Sequence, residues 1–181
     1  MNASTFVPPR RLELLDTSVL LEILEVPRES DHSVDVLEEF QDKCNAGVVL
    51  QIPMATVLET GAHIRKIKVP KDPEVRKTCA RKFARFLDAA LSGEAPWRFT
   101  SFSWDGKVIR ALLDGQDHGY GLERSIGDGV FEIGDLTIVE EWRLSSKNVS
   151  RKVYDVDVWT RDDVLRGVID GLRERMVGSL R

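Results

Sequence analysis

The sequence predicts an α/β protein in which helices pack on a parallel central sheet, and three observations predict it. The short apolar run RLELLD at 11–16 passes straight into helical spacing. The run VVLQI at 48–52 does the same through Pro53, and the alternating VYDVDVWT at 153–160 is followed by a helical pattern over 161–176. Repeated strand-into-helix succession marks a parallel sheet, because a parallel neighbour is reached only through a crossover.

Taken in order, residues 11–16 form the first strand, and 18–26 a helix that Pro27 stops. Residues 33–46 carry Val34, Val36, Leu37 and Phe40 at amphipathic spacing and end before Gly47. After the second strand, Pro53 suits a first helical position, and Val57, Leu58, Gly61, Ile64 and Ile67 share one side of a helix over 54–67. A third long helix covers 73–91, with Val75, Cys79, Phe83, Phe86, Leu87 and Ala90 as its apolar stripe. Residues 97–104 read as a short strand or extended connection, and 106–113 as a brief helix. Six of the 13 glycines fall between 115 and 134, which reads as a long flexible loop without a phosphate-binding fingerprint. A helix starts at Gly134 or Asp135 and runs through Leu144, before the last strand and the closing helix.

At 181 residues and 42% hydrophobic, the chain suits one domain over 1–181, burying roughly 70% of its unfolded surface. Neither a repeat nor a Pro-, Ser- or Gly-rich linker divides it. The composition excludes collagen-like, low-complexity and disordered classes. The most apolar early segment, 12–24, is broken by Glu13, Asp16 and Glu22, so neither a membrane span nor a secretory leader is expected. Cys44 and Cys79 lack zinc-site spacing, are too few for a disulfide framework and read as apolar fillers in a cytoplasmic protein.

The formal charge of −4 hides two regions. Nine basic residues and two acids lie between His63 and Arg85, a balance of +7, so the other 158 residues sum to −11. Lys77, Arg81 and Arg85 recur every four residues and share a helix face, with Arg76 beside them. The band is either a solvated face or a strip on which Arg76, Lys77, Arg81 and Arg85 would hold a polyanion.

Asp16, Glu59, Asp135 and Asp162 all lie at strand-to-helix junctions or helix starts. Residues just past the carboxyl ends of parallel strands converge on one edge, so acids distant in sequence meet in one crevice. Four clustered carboxylates need a counter-charge, and an oxygen-only donor set points to Mg²⁺ or Mn²⁺ rather than zinc. Thr17, Ser18 and Thr160 add hydroxyls to orient water there. Each acid has a plainer role: Asp16 and Asp135 suit helix N-caps, and Glu59 suits an exposed helix position. Asp128 competes with Asp135, and Asp163 with Asp162.

At these residues the chain resembles the PIN-domain family of metal-dependent ribonucleases. LELLDTSVLLEIL is similar to the family's opening strand and turn, with Asp16 matching, and PMATVLETGAHI to its second motif, with Glu59 matching. IGDLTIVEEW resembles the third motif through Asp135, and DVDVWTRDDVL the closing strand and T-x-D turn through Thr160 and Asp162. The motifs stand in family order across nearly the whole chain. The resemblance implies a Rossmann-like three-layer fold, Mg²⁺- or Mn²⁺-dependent endonucleolytic cleavage of single-stranded RNA, and a homodimer. It also implies either the toxin of a toxin-antitoxin pair, with an antitoxin as partner, or a standalone ribonuclease. The segment at about 68–127 is larger than compact toxin members carry.

Two other readings compete. A non-catalytic PIN scaffold would bind RNA or protein without cutting it. In a haloacid-dehalogenase-like phosphatase Asp16 would be the nucleophile, but Ser18 stands where that chemistry prefers a second Asp. His118 reads as a surface residue of the glycine-rich loop, and Trp97, Trp104, Trp142 and Trp159 as core or interface residues.

Overall fold

The computed structural model describes residues 8–68, 73–115, 118–150 and 153–178. Its elements are β1 (Arg10–Leu15), α1 (Thr17–Ile23), α2 (Ser33–Asn45), β2 (Val49–Ile52), α3 (Met54–Lys66), α4 (Pro73–Ser92), β3 (Trp97–Phe99), α5 (Gly106–Asp114), α6 (Leu122–Gly127), α7 (Ile133–Asn148), β4 (Tyr154–Trp159) and α8 (Asp163–Gly178). The four strands form one parallel sheet in the order β3-β2-β1-β4, as the α/β reading requires.

Alternation along β1 separates the layers. Leu12 and Leu14 join Val156 and Val158 of β4 beneath α7 and α8, where Ile138, Val139, Trp142, Leu165 and Ile169 complete that core. On the opposite face Leu15, Leu50, Ile52 and Trp159 meet α1, α2, α3 and α4 through Val19, Leu20, Val36, Ile64, Cys79 and Phe86. Glu13 falls on this second face, where Lys43 and Arg11 each pair with it at 2.6 Å, and the Lys43 ammonium lies 4.7 Å from the Trp159 ring centroid. Opposite charges at short range offset the cost of burying that carboxylate.

Several local expectations are corrected. The first helix ends at Ile23, before Pro27, because the chain leaves helical geometry at Glu25, whose φ is +53°. Val34, Leu37 and Leu58 face outward, and α3 buries Ala55, Thr56, Thr60 and Ile64 instead. The extended segment at 97–104 contributes only three strand residues, and Trp104 beyond them is exposed. The glycine-rich segment holds α6, which Ser125 anchors from a fully buried position. His118, expected at the surface, is buried 3.7 Å from Glu140, itself bonded by Arg143. Cys44 is only half-buried, whereas Cys79 is buried as expected.

The strand order positions the site. From β1 the chain crosses to β2 and β3 on one side, then returns through α5, α6 and α7 to place β4 on the other. The sequence order therefore reverses between β1 and β4, and a crevice opens beyond the carboxyl ends of these two strands.

Candidate active site

Asp16 follows β1 and caps α1, with its backbone N–H donating to the Trp159 carbonyl at the end of β4. Its buried carboxylate oxygen Oδ2 accepts from the Ser18 hydroxyl at 2.5 Å, the Thr160 hydroxyl at 2.8 Å and the Ser18 backbone N–H at 3.3 Å. Thr160 Oγ1 in turn accepts from the Asp162 N–H at 2.9 Å, and Ser18 Oγ accepts from the Arg161 N–H at 2.9 Å. These bonds fasten the β4–α8 turn to the end of β1. Asp162 is exposed, and its Oδ1 accepts from the Leu165 N–H at 2.8 Å, so it also caps α8.

Glu59 comes from the second turn of α3, where Thr17 Oγ1 donates to its Oε2 at 2.7 Å. It lies against the start of α7: a Cβ added to Gly134 would stand 1.6 Å from Glu59 Oε1. Glycine is therefore required at 134 for the carboxylate to occupy this position. Asp135 is the third residue of α7, and the Glu132 N–H donates to its Oδ2 at 3.3 Å while Glu132 caps the helix, forming a reciprocal capping box.

Electrostatics joins these acids. Burial, followed by the nearby charges of Asp16, Glu59 and Asp162, pushes the Asp135 carboxyl up to about 7, against a weaker opposing bond from the Glu132 N–H. Burial also raises Glu59; the Thr17 bond and His63 oppose the rise, while Asp16 and Glu132 add to it. The fold thus gathers Asp16, Glu59, Asp135 and Asp162 on one edge. Asp128 caps the end of α6, 3.9 Å from Arg124, and the exposed Asp163 begins α8.

Chemically, the donors suit a hard divalent cation: all are oxygens, and among the described residues no Lys or Arg forms an ion pair with any of the four acids. As they stand, no three His, Cys, Asp or Glu side chains among the described residues converge closely enough to hold an ion.

The raised Asp135 carboxyl has a consequence for stability. With a folded value near 7 and an ordinary value of 3.8, its contribution is fully present below about pH 4 and is lost as pH rises through 7. Asp135→Asn should abolish that share, making the variant more stable than the parent at pH 8 but not at pH 4, without added metal. Urea unfolding of both proteins at the two pH values measures the difference; equal stability at pH 8 would sink the prediction.

Arg76, Lys77, Arg81 and Arg85 lie exposed on α4. Lys77 pairs with Glu74 at 2.8 Å and Arg81 with the same carboxylate at 3.3 Å, so part of the band's charge is answered within its own helix. Among the described residues none of the four bonds to the acidic site. Two residues of the site were missed in the sequence: Glu132, signalled by its capping-box spacing to Asp135, and Gly134, signalled by the IGD context. In comparisons with family models, curated proteins and solved structures, nothing matches this chain.

Proposed function

We propose that this protein is a Mg²⁺- or Mn²⁺-dependent endoribonuclease acting on single-stranded RNA, as its resemblance to the PIN-domain family implies. The observation that carries the reading is that carboxyls supplied by separate elements meet near the sheet's switch point, where burial first and the charges of Asp16, Glu59 and Asp162 after it push Asp135 up to about 7. Structural capping accounts for Asp16 and Asp162 singly, but not for Glu59 pressed against Gly134 beside them.

Asp16, Glu59, Asp135 and Asp162 would hold the ion, and repulsion among them would yield to small side-chain rotations towards it. When bound, the ion supplies a Lewis acid for the phosphate oxygens and a lowered pKa for the attacking water. The chain's own residues do the positioning. Thr17 orients Glu59, Ser18 and Thr160 fix Asp16, and Thr160 ties Asp162 to the same network. Beside Asp135 and Asp162 lies a cavity of about 490 Å³ walled by Ile126, Val130, Ile133 and Val164, a suitable apolar floor for the face of a base. A cytoplasmic toxin with an antitoxin partner, and a homodimer, complete the proposal.

The proposal is tested with end-labelled single-stranded RNA and purified protein: cleavage with Mn²⁺ or Mg²⁺ and none with EDTA is expected. Intact RNA in millimolar Mn²⁺ would favour the non-catalytic scaffold, a reading to which the hydroxyl-satisfied Asp16 lends support.

The basic helix gives a separate expectation. If Lys77, Arg81 and Arg85 neutralise RNA phosphates, replacing all three with Ala makes the slope of log affinity against log salt shallower by about 0.7 per residue, roughly two units in all. Cleavage at saturating RNA stays near parental. The slope is measured in an Asp16→Asn background so that the RNA survives, and an unchanged slope assigns α4 to solvation or to a protein partner.

A further inference from the structure

Away from the acidic edge, α7 buries a second carboxyl that the proposed chemistry does not use. Glu141 is 2% exposed, and its Oε1 has no hydrogen-bond partner. The Thr100 side chain opposes the rise in the carboxyl's pKa, and the nearest basic residue on the helix, Arg143, directs its guanidinium to Glu140. Buried polar atoms are paired in nearly all proteins, so an orphaned carboxylate oxygen calls for a partner.

Glu141 lines a cavity of about 180 Å³ between α7 and the end of the sheet, whose wall includes Gln51, Thr100, Ser103, Ser145 and Asn148. The buried Glu141 closes its inner end, and the exposed Ser103 and Asn148 stand at its mouth. Five of these six residues carry neutral oxygen acceptors, and one carries the only acid. We propose that this cavity is a binding site for a small primary amine, whose ammonium group pairs with Glu141.

Geometry selects among the cations. A guanidinium prefers two parallel bonds to both carboxylate oxygens, but Oε1 is the one buried oxygen of this carboxyl without a partner. An ammonium needs one such oxygen and places its other protons on hydroxyl or amide oxygens, which Ser145, Gln51 and Asn148 provide. A bare alkali ion leaves most of the space unfilled, since at about 30 Å³ per water the cavity takes roughly six non-hydrogen atoms. Burial also holds the Glu141 carboxyl at about 7 when it is alone, and an ammonium neighbour would restore its charge.

The test titrates the full chain with n-butylammonium, and with n-butanol as its neutral isostere, while following the backbone amide signals of Thr100, Ser103 and Ser145 by NMR at pH 7.5. Saturable shifts with butylammonium and none with butanol are expected. Glu141→Gln should weaken the binding at least about tenfold, and Ser145→Leu, which fills the cavity from α7, should remove it. The second variant carries the test if the first does not fold. Equal binding of butanol, the same shifts with potassium chloride, or undiminished binding in both folded variants would overturn the proposal.

Discussion

Asp16→Asn is expected to lower RNA cleavage at least about a thousandfold, a loss of roughly 4 kcal/mol in transition-state stabilisation, while the fold persists. Asparagine is as good an N-cap as aspartate, so its side-chain oxygen still accepts from the Ser18 N–H and from Thr160. What disappears is the negative charge that faces Asp135 and Glu59, and with it one of the proposed cation ligands. Relief of that repulsion should leave the metal-free variant at least as stable as the parent. Single-turnover cleavage and a thermal melt on the same preparation check both halves. Activity within tenfold of the parent would show that Asp16 does not serve the reaction.

Gly134→Ala is the second large effect. The added methyl occupies the space of the Glu59 carboxylate, which must swing away from the acidic edge and lose its Thr17 bond. Because the obstructed atom ends a flexible side chain, the backbone has no cause to move, and the change in melting temperature should be small. Displacing a ligand by more than an ångström costs on the order of a hundredfold in rate. Restoring space with Glu59→Asp in the Gly134→Ala background should recover part of the activity. If Gly134→Ala cleaves RNA at the parental rate, Glu59 does not belong to the reacting site.

The layered fold was legible because its strands are short apolar runs that pass directly into helices, and a side-chain period that changes from two to 3.6 is a local signal. Asp16 and Asp162 were located for the same reason, since each stands between a strand and the helix that follows it, whereas Glu59 and Asp135 lie inside helices and were picked out by their motif context. What escaped depended on tertiary contacts. Gly121, Gly127 and Gly129 mask α6, whose Ser125 packs inside only because α7 lies beside it. His118 sits in a polar, glycine-rich context, yet the chain folds it against Glu140 of α7. Leu58 points outward because Thr56 and Thr60 take the inner face of α3, with Thr56 Oγ1 donating to the Leu15 carbonyl at 2.7 Å. On α4 the three- and seven-residue spacings from Glu74 to Lys77 and Arg81 allow the observed pairs, but a net charge conceals them. Glu141 was hidden in an apparently amphipathic stretch, and only burial reveals that its partner is missing.

The central claim is that Asp16, Glu59, Asp135 and Asp162 make one divalent-cation site. Its most direct test is Mn²⁺ binding in solution, followed by the loss of the free-ion electron paramagnetic resonance signal in the parent and in Asp16→Asn, Gly134→Ala and Asp135→Asn. The account predicts saturable binding by the parent and marked weakening in all three variants, each folded by circular dichroism. A parent that leaves the free-ion signal unchanged at millimolar Mn²⁺, or three variants that bind as the parent does, would contradict it.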